Sequence, residues 1–227
     1  VPATHGEIWA PEPQWLGRTV FLLGGGPSLR DFKVQRLKGK TVMAVNSSCH
    51  AAPWADILFF TDYNWMQAHL DIVKAWKGLV VTPSSHAKTV LGDRIRRIQL
   101  VNRPDFSRPG ELTLKFGRSS GHTAISLAVA LGAARIVLLG YDMRRVDGRS
   151  HHHDDYLNTT DALYERDFIP WFKGWNEAAQ ARGIEILNAT PGSALLEFPL
   201  VSIEDVLRSE DRETSAPVVR SQEDSHA

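Results

Sequence analysis

Apolar positions along this chain fall into short unbroken runs separated by polar, glycine-bearing turns. Thr19–Leu23, Thr41–Val45, Asp56–Phe60, Gly78–Val81 and Ala134–Leu139 read as strands apolar on both faces, as expected where helices cover both sides of a sheet. Glu185–Leu187 predicts a shorter last strand and Ile95–Leu100 a more exposed one. Elsewhere the period becomes helical. Trp65, Leu70, Val73 and Trp76 predict a helix over Asn64–Trp76. The alanine-rich Ser119–Leu131 predicts another, capped by Ser119 or Ser120. Leu29–Leu37 reads as a short helix and Ser202–Leu207 as a terminal one. Asp161–Arg182 reads as a long helix that Pro170 bends or breaks and Gly183 stops. Val101–Phe116 is irregular, and Met143–Thr160 is polar and histidine-rich.

Strands alternating with helices predict an α/β fold, a Rossmann-like three-layer sandwich with a mostly parallel sheet. The pattern fits one domain over residues 1–208, with residues 1–17 as an extended arm anchored by Trp9 and Trp15. Residues 209–227 are charged and poor in large apolar groups, so the expectation there is a disordered tail. Lysine plus arginine and aspartate plus glutamate both number 26, which removes any bulk electrostatic case for a nucleic-acid partner. No run approaches the ~20 apolar residues of a membrane span. No basic-then-apolar leader is visible, and the single cysteine, Cys49, suits a reducing compartment, so the expected location is cytoplasmic.

In parallel sheets ligands collect beyond the carboxyl ends of the strands. Those ends read Gly24-Gly25-Gly26, Asn46-Ser47-Ser48, Thr61-Asp62-Tyr63 and Gly140-Tyr141-Asp142, all small or polar. The first is followed by Pro27-Ser28 opening a helix, an arrangement that reads as a phosphate cradle. Ser119-Ser120-Gly121 offers a second anion site at a helix N-terminus. A dinucleotide fingerprint would need a third glycine at Leu29 and an acid at Asn46, so NAD is disfavoured. Gly39-Lys40-Thr41 precedes a strand instead of opening a helix and is no P-loop. A methyltransferase-type glycine turn stays open.

His151, His152 and His153, followed by Asp154 and Asp155, form a second focus. A histidine beside a substrate hydroxyl can act as general base, which nominates His151 and His153. In an extended segment His151, His153 and Asp155 would point one way and suit a transition metal, and a solvated loop is the third reading. His122 is a lesser candidate, while His50, His69 and His86 read as structural or exposed. Arg144 and Arg145 lie nearer the expected pocket than Arg94, Arg96 and Arg97. Trp54 and Trp65 flank strand ends where a base or sugar could stack, though packing explains each as well.

The glycine-Pro-Ser-Leu turn, Val45-Asn46, Phe60-Thr61-Asp62, Ser120-Gly121 and the run Ala128–Asp142 form one ordered set. The set resembles a superfamily containing 6-hydroxymethylpterin diphosphokinase-like proteins and small bacterial sialyltransferases. It is also similar to phage and prophage proteins with a histidine cluster after Gly-Tyr-Asp. The resemblance spans about Thr19 to Ala189. It implies a transferase taking a nucleotide-sugar donor and an unidentified acceptor, with Gly24, Gly25, Gly26, Pro27, Ser28, Asn46, Ser120 and Gly121 on the nucleotide. His151 or His153 would deprotonate the acceptor, and Asp62 and Asp142 would meet donor hydroxyls. The sialyltransferases carry asparagine where Gly25 stands, so one nucleotide contact is missing or replaced. The diphosphokinase relatives imply an alternative, ATP-dependent transfer with Asp62 and Asp142 on magnesium. A non-catalytic nucleotide-binding or phage-associated accessory role is the third expectation.

Overall fold

The computed structural model of the chain describes residues 7–103, 105–154 and 159–215. In chain order its strands are β1 (Thr19–Leu23), β2 (Thr41–Val45), β3 (Ile57–Phe59), β4 (Leu79–Thr82), β5 (Ile95–Arg97), β6 (Gln99–Val101), β7 (Thr113–Lys115), β8 (Arg135–Leu139) and β9 (Glu185–Asn188). Among the described residues seven of these form one sheet in the order β5-β4-β3-β2-β1-β8-β9, every pair parallel. β6 and β7 pair separately, also in parallel. The helices are α1 (Tyr63–Ala68), α2 (Leu70–Ala75), α3 (Ser85–Leu91), α4 (Ser120–Ala130), α5 (Asp161–Leu163), α6 (Trp175–Gln180) and α7 (Ile203–Ser215).

The unbroken apolar runs have a direct cause. Along β1, Val20 and Leu22 enter one core with Ile125, Ala128 and Trp175, while Phe21 and Leu23 enter the other with Val73, Ala87 and Leu207. α4 and α6 therefore cover one face, and α1, α2, α3 and α7 cover the other. This is the Rossmann-like three-layer fold that the alternation predicts. β1 is flanked by β2 on one side and β8 on the other, so the strand order reverses there and leaves a crevice beyond its carboxyl end.

Several elements differ from expectation for identifiable reasons. Leu29–Leu37 is two 3-10 turns, Pro27–Arg30 and Val34–Leu37, with Leu29, Val34 and Leu37 buried and Phe32 packed partly against the same core. The helix expected over Asn64–Trp76 breaks at His69, whose ring stacks on Trp65 at 4.6 Å and whose Nδ1 lies 2.8 Å from the Trp65 carbonyl. α3 is mostly polar, burying Ala87 alone, so it left no apolar period. The segment Asp161–Arg182 is α5, a π-helical turn at Tyr164–Phe168, a 3-10 turn at Ile169–Phe172 that contains Pro170, and α6 after the left-handed Gly174.

The largest correction is at the C-terminus. Residues 209–215 are not a disordered tail, because α7 continues to Ser215. Glu210 accepts from Thr19 Oγ1 at 2.6 Å and pairs with Arg135, and Asp211 pairs with Lys40 at 2.9 Å. Residues 216–227 lie outside the described residues. The arm is anchored by Trp15, buried with its amide donating to the Leu131 carbonyl, and by Trp9, whose amide donates to Arg97. No helix among the described residues is long and apolar enough to cross a membrane.

Candidate functional site

A cleft of about 350 Å³ opens beyond the carboxyl ends of β1, β2, β3 and β8. Its walls include Gly24, Gly25, Gly26, Asn46, Asp62, Ser120, Gly121, Asp142, His151 and His153, so the predicted site residues converge with two exceptions. Pro27 is buried behind the turn, and Ser28 faces a separate cavity on the far side.

The glycine turn is not the phosphate cradle that its sequence suggests. The Gly24 amide donates to the Leu139 carbonyl at 2.7 Å and the Gly26 amide to the Gly140 carbonyl at 2.8 Å. The Ser28 amide donates to Asp142 Oδ1 at 3.1 Å, and the Ser28 hydroxyl to Oδ2 at 2.8 Å. The chain's own carboxylate thus occupies the place of the expected anion. The glycines permit this packing: a Cβ on Gly24 would stand 2.6 Å from the Gly140 oxygen, and one on Gly26 would stand 1.9 Å from Asp142 Oδ2. At Gly25 a Cβ would instead meet only the His151 and His153 side chains, at 3.3 and 3.5 Å.

These contacts also settle what Asp142 can do. Burial raises its carboxyl pKa, and the two Ser28 donors oppose that shift. Both oxygens accept from Ser28 and the residue is 1% exposed, so the carboxylate is engaged in holding the glycine turn. Asp62 itself caps α1, its Oδ1 accepting from the Asn64 amide at 2.8 Å and the Trp65 amide at 3.4 Å.

The N-terminus of α4 is arranged differently. The Ser120 hydroxyl lies 2.6 Å from Thr61 Oγ1 and accepts from Asn46 Nδ2 at 3.2 Å, so the ends of β2 and β3 fix it. Asn46 reaches this position through a left-handed backbone, φ 51°. Ser120 and Gly121, whose amides open the helix and so have no intrahelical acceptor, are among the residues that line the cleft. Arg118, which the sequence reading did not single out, lines the same wall. Its guanidinium stands 5.9 Å from the Trp171 ring centroid.

His122 supports this corner from behind and is not a catalytic group. It is fully buried, stacked on Phe172 at 3.6 Å, and burial pushes its pKa down to about 3. Its Nε2 lies 3.1 Å from the Phe168 carbonyl, which can only accept, so Nε2 carries the proton. Nδ1 is then an acceptor, and the Ser119 hydroxyl donates to it across 2.7 Å.

The histidine loop also lines the cleft, through Ser150, His151 and His153. The His152 amide donates to the Gly25 carbonyl at 2.9 Å, tying the loop to the glycine turn. The His151 and His153 rings lie 5.1 Å apart. His151 Nδ1 meets the hydroxyl of the fully buried Ser150 at 2.9 Å, and that hydroxyl also accepts the Thr159 amide at 2.8 Å. Burial lowers the His151 pKa, so its imidazole is neutral near pH 7. Asp155, the third member of the metal alternative, lies outside the described residues. No cluster of three or more metal-ligating side chains occurs among the described ones.

Other candidates stand apart from the cleft. Arg145 holds the loop through the Gly148 carbonyl, and its amide donates to Asp161. Arg144 lies against Gly192. The Trp65 indole donates to Ser47 at 2.7 Å and packs in the core. Thr61 and Tyr141, from the expected strand ends, also line the cleft, and it gains Tyr164 and Phe168 from the π-helical turn, a distortion often found at functional sites. Comparison of the chain with protein-family models and with curated proteins finds no match.

Proposed function

We propose that the chain transfers a glycosyl group from a nucleotide-sugar donor to an acceptor hydroxyl without a metal ion. One observation carries this reading: Arg118, the N-terminal residues of α4 and a histidine pair line a single cleft. The donor phosphate sits against the Ser120 and Gly121 amides and the Arg118 guanidinium, where a cation and a helix N-terminus both favour negative charge. His151 or His153 takes the proton of the acceptor hydroxyl. The acceptor oxygen then bonds to the anomeric carbon as the bond from that carbon to the phosphate oxygen breaks. The nucleotide leaves with the electron pair, and Arg118 stabilises its added charge.

The lowered pKa of His151 supports a base that is unprotonated at neutral pH. The engaged oxygens of Asp142 weigh against magnesium-dependent phosphoryl transfer. The test is a thermal-shift panel of CMP, UDP and ATP with and without magnesium, followed by turnover of the bound donor sugar. The expected result is stabilisation by CMP or UDP in metal-free buffer. His151→Ala and His153→Ala should together lower turnover by about 10²–10⁴-fold while leaving donor binding intact. Stabilisation by ATP only with magnesium points to the phosphoryl-transfer reading. Nucleotide binding with no turnover of any sugar donor points to the accessory role.

A further inference from the structure

Among the described residues, Phe116 and Trp171 are the two exposed phenylalanine or tryptophan side chains, at 36% and 37% exposure. They come from segments far apart in sequence and meet edge to face, with ring centroids 5.7 Å apart and planes at 89°. Solvent-facing aromatic area of this kind does nothing for the core, where the molecule keeps its other large rings. The position of the pair is informative. Phe116 lies two residues before Arg118, and Trp171 lies three residues after Phe168, and both of those flanking residues line the cleft. Arg118 belongs to both features, since the residue lines the cleft and its guanidinium stands over the Trp171 ring.

We infer that Phe116 and Trp171 form a base-stacking subsite, on which the nucleobase of the bound nucleotide lies while Arg118 pairs with its phosphate. This rests on the reading of the cleft as a nucleotide site and adds where the base goes. A nucleotide is an anion and a flat aromatic ring joined by one sugar. The surface here offers a cation and a pair of rings in direct contact. Stacking on aromatic side chains is tolerant of base identity, because every base has a π-face. The subsite therefore accounts for affinity without a hydrogen-bonding code for one base. Two rings make a patch fitted to a small planar ligand and far below the area of a stable protein interface.

The experiment is calorimetric titration of the whole chain, in metal-free buffer, with CMP, UMP, AMP and ribose 5-phosphate. The unaltered protein should bind each nucleotide about tenfold or more tighter than ribose 5-phosphate, the gain expected from one stacked base. Trp171→Leu should bring the nucleotides close to ribose 5-phosphate while leaving ribose 5-phosphate binding unchanged. Phe116→Leu should give a smaller loss in the same direction, and it carries the test alone if Trp171→Leu does not fold. Nucleotide preference retained in the folded variants overturns the subsite and leaves the cleft reading standing. Ribose 5-phosphate bound as tightly as CMP by the unaltered protein does the same. Failure to bind any of the four overturns both.

Discussion

At the end of β1 the chain turns through Gly24, Gly25 and Gly26 into the 3-10 turn Pro27–Arg30. Before α4 it turns through Gly117 and Ser119 into Ser120 and Gly121. Both turns bring backbone amides to the same end of the sheet, and both are small-residue sequences ahead of a helical turn. At the first, Leu139, Gly140 and Asp142 already accept from the amides of Gly24, Gly26 and Ser28. At the second, Asn46, Thr61 and His122 hold the side chains of Ser119 and Ser120, and the first residues of the helix line the cleft with Arg118. The contrast teaches that glycine marks a close approach without saying what approaches. In the β1 turn it is another part of the chain.

The strongest way to break this comparison is to fill the glycines. Gly26→Ala places its Cβ against a buried carboxylate, and Gly24→Ala places one against backbone, so each should lower unfolding free energy by about 3 kcal/mol in urea melts. Gly25→Ala meets only histidine side-chain atoms and should cost under ~1 kcal/mol. Equal tolerance at all three positions would mean that the turn is not packed against Gly140 and Asp142.

Acid reads the other turn. Burial lowers the His122 pKa to about 3 from the ordinary 6.5 of histidine, so the unfolded chain binds the extra proton first. Stability is fully present above about pH 6.5 and should fall steadily as pH drops toward about 3. His122→Gln should flatten that limb in pH-dependent unfolding curves. A limb of unchanged depth would place the loss in other groups.

Smaller effects sharpen the picture. Ser28→Ala removes the hydroxyl that donates to Asp142 Oδ2 and should cost about 2 kcal/mol, without weakening CMP binding. Arg118→Ala should leave stability within about 0.5 kcal/mol of the unaltered protein. It should weaken CMP binding by about tenfold, measured by titration. Together the two variants separate a turn that stabilises from a turn that binds.

Much of the fold was legible because doubly covered strands leave continuous apolar runs. Thr19–Leu23 and Thr41–Val45 are read from sequence with the bounds they have in the sheet. What stayed hidden lacks that signal. The single strand expected over Ile95–Leu100 is split into β5 and β6, and the pairing of β6 with the three-residue β7 is set by contacts distant in sequence. The last residues of α7 are charged, and only their partners on Thr19, Lys40 and Arg135 distinguish them from a solvated tail. The site divides in the same way. Its location follows from the strand ends, which the fold rule brings together. Chemistry was less legible, because the Ser28–Asp142 pairing spans 114 positions and Arg118 carries no local mark separating it from other exposed arginines.

A structure of the chain with CMP bound in metal-free buffer tests the central claim most directly. The account predicts the phosphate beside the Ser120 and Gly121 amides and the Arg118 guanidinium, with Asp142 still held by Ser28. A phosphate seated on the Gly24–Ser28 turn with Asp142 displaced would contradict it.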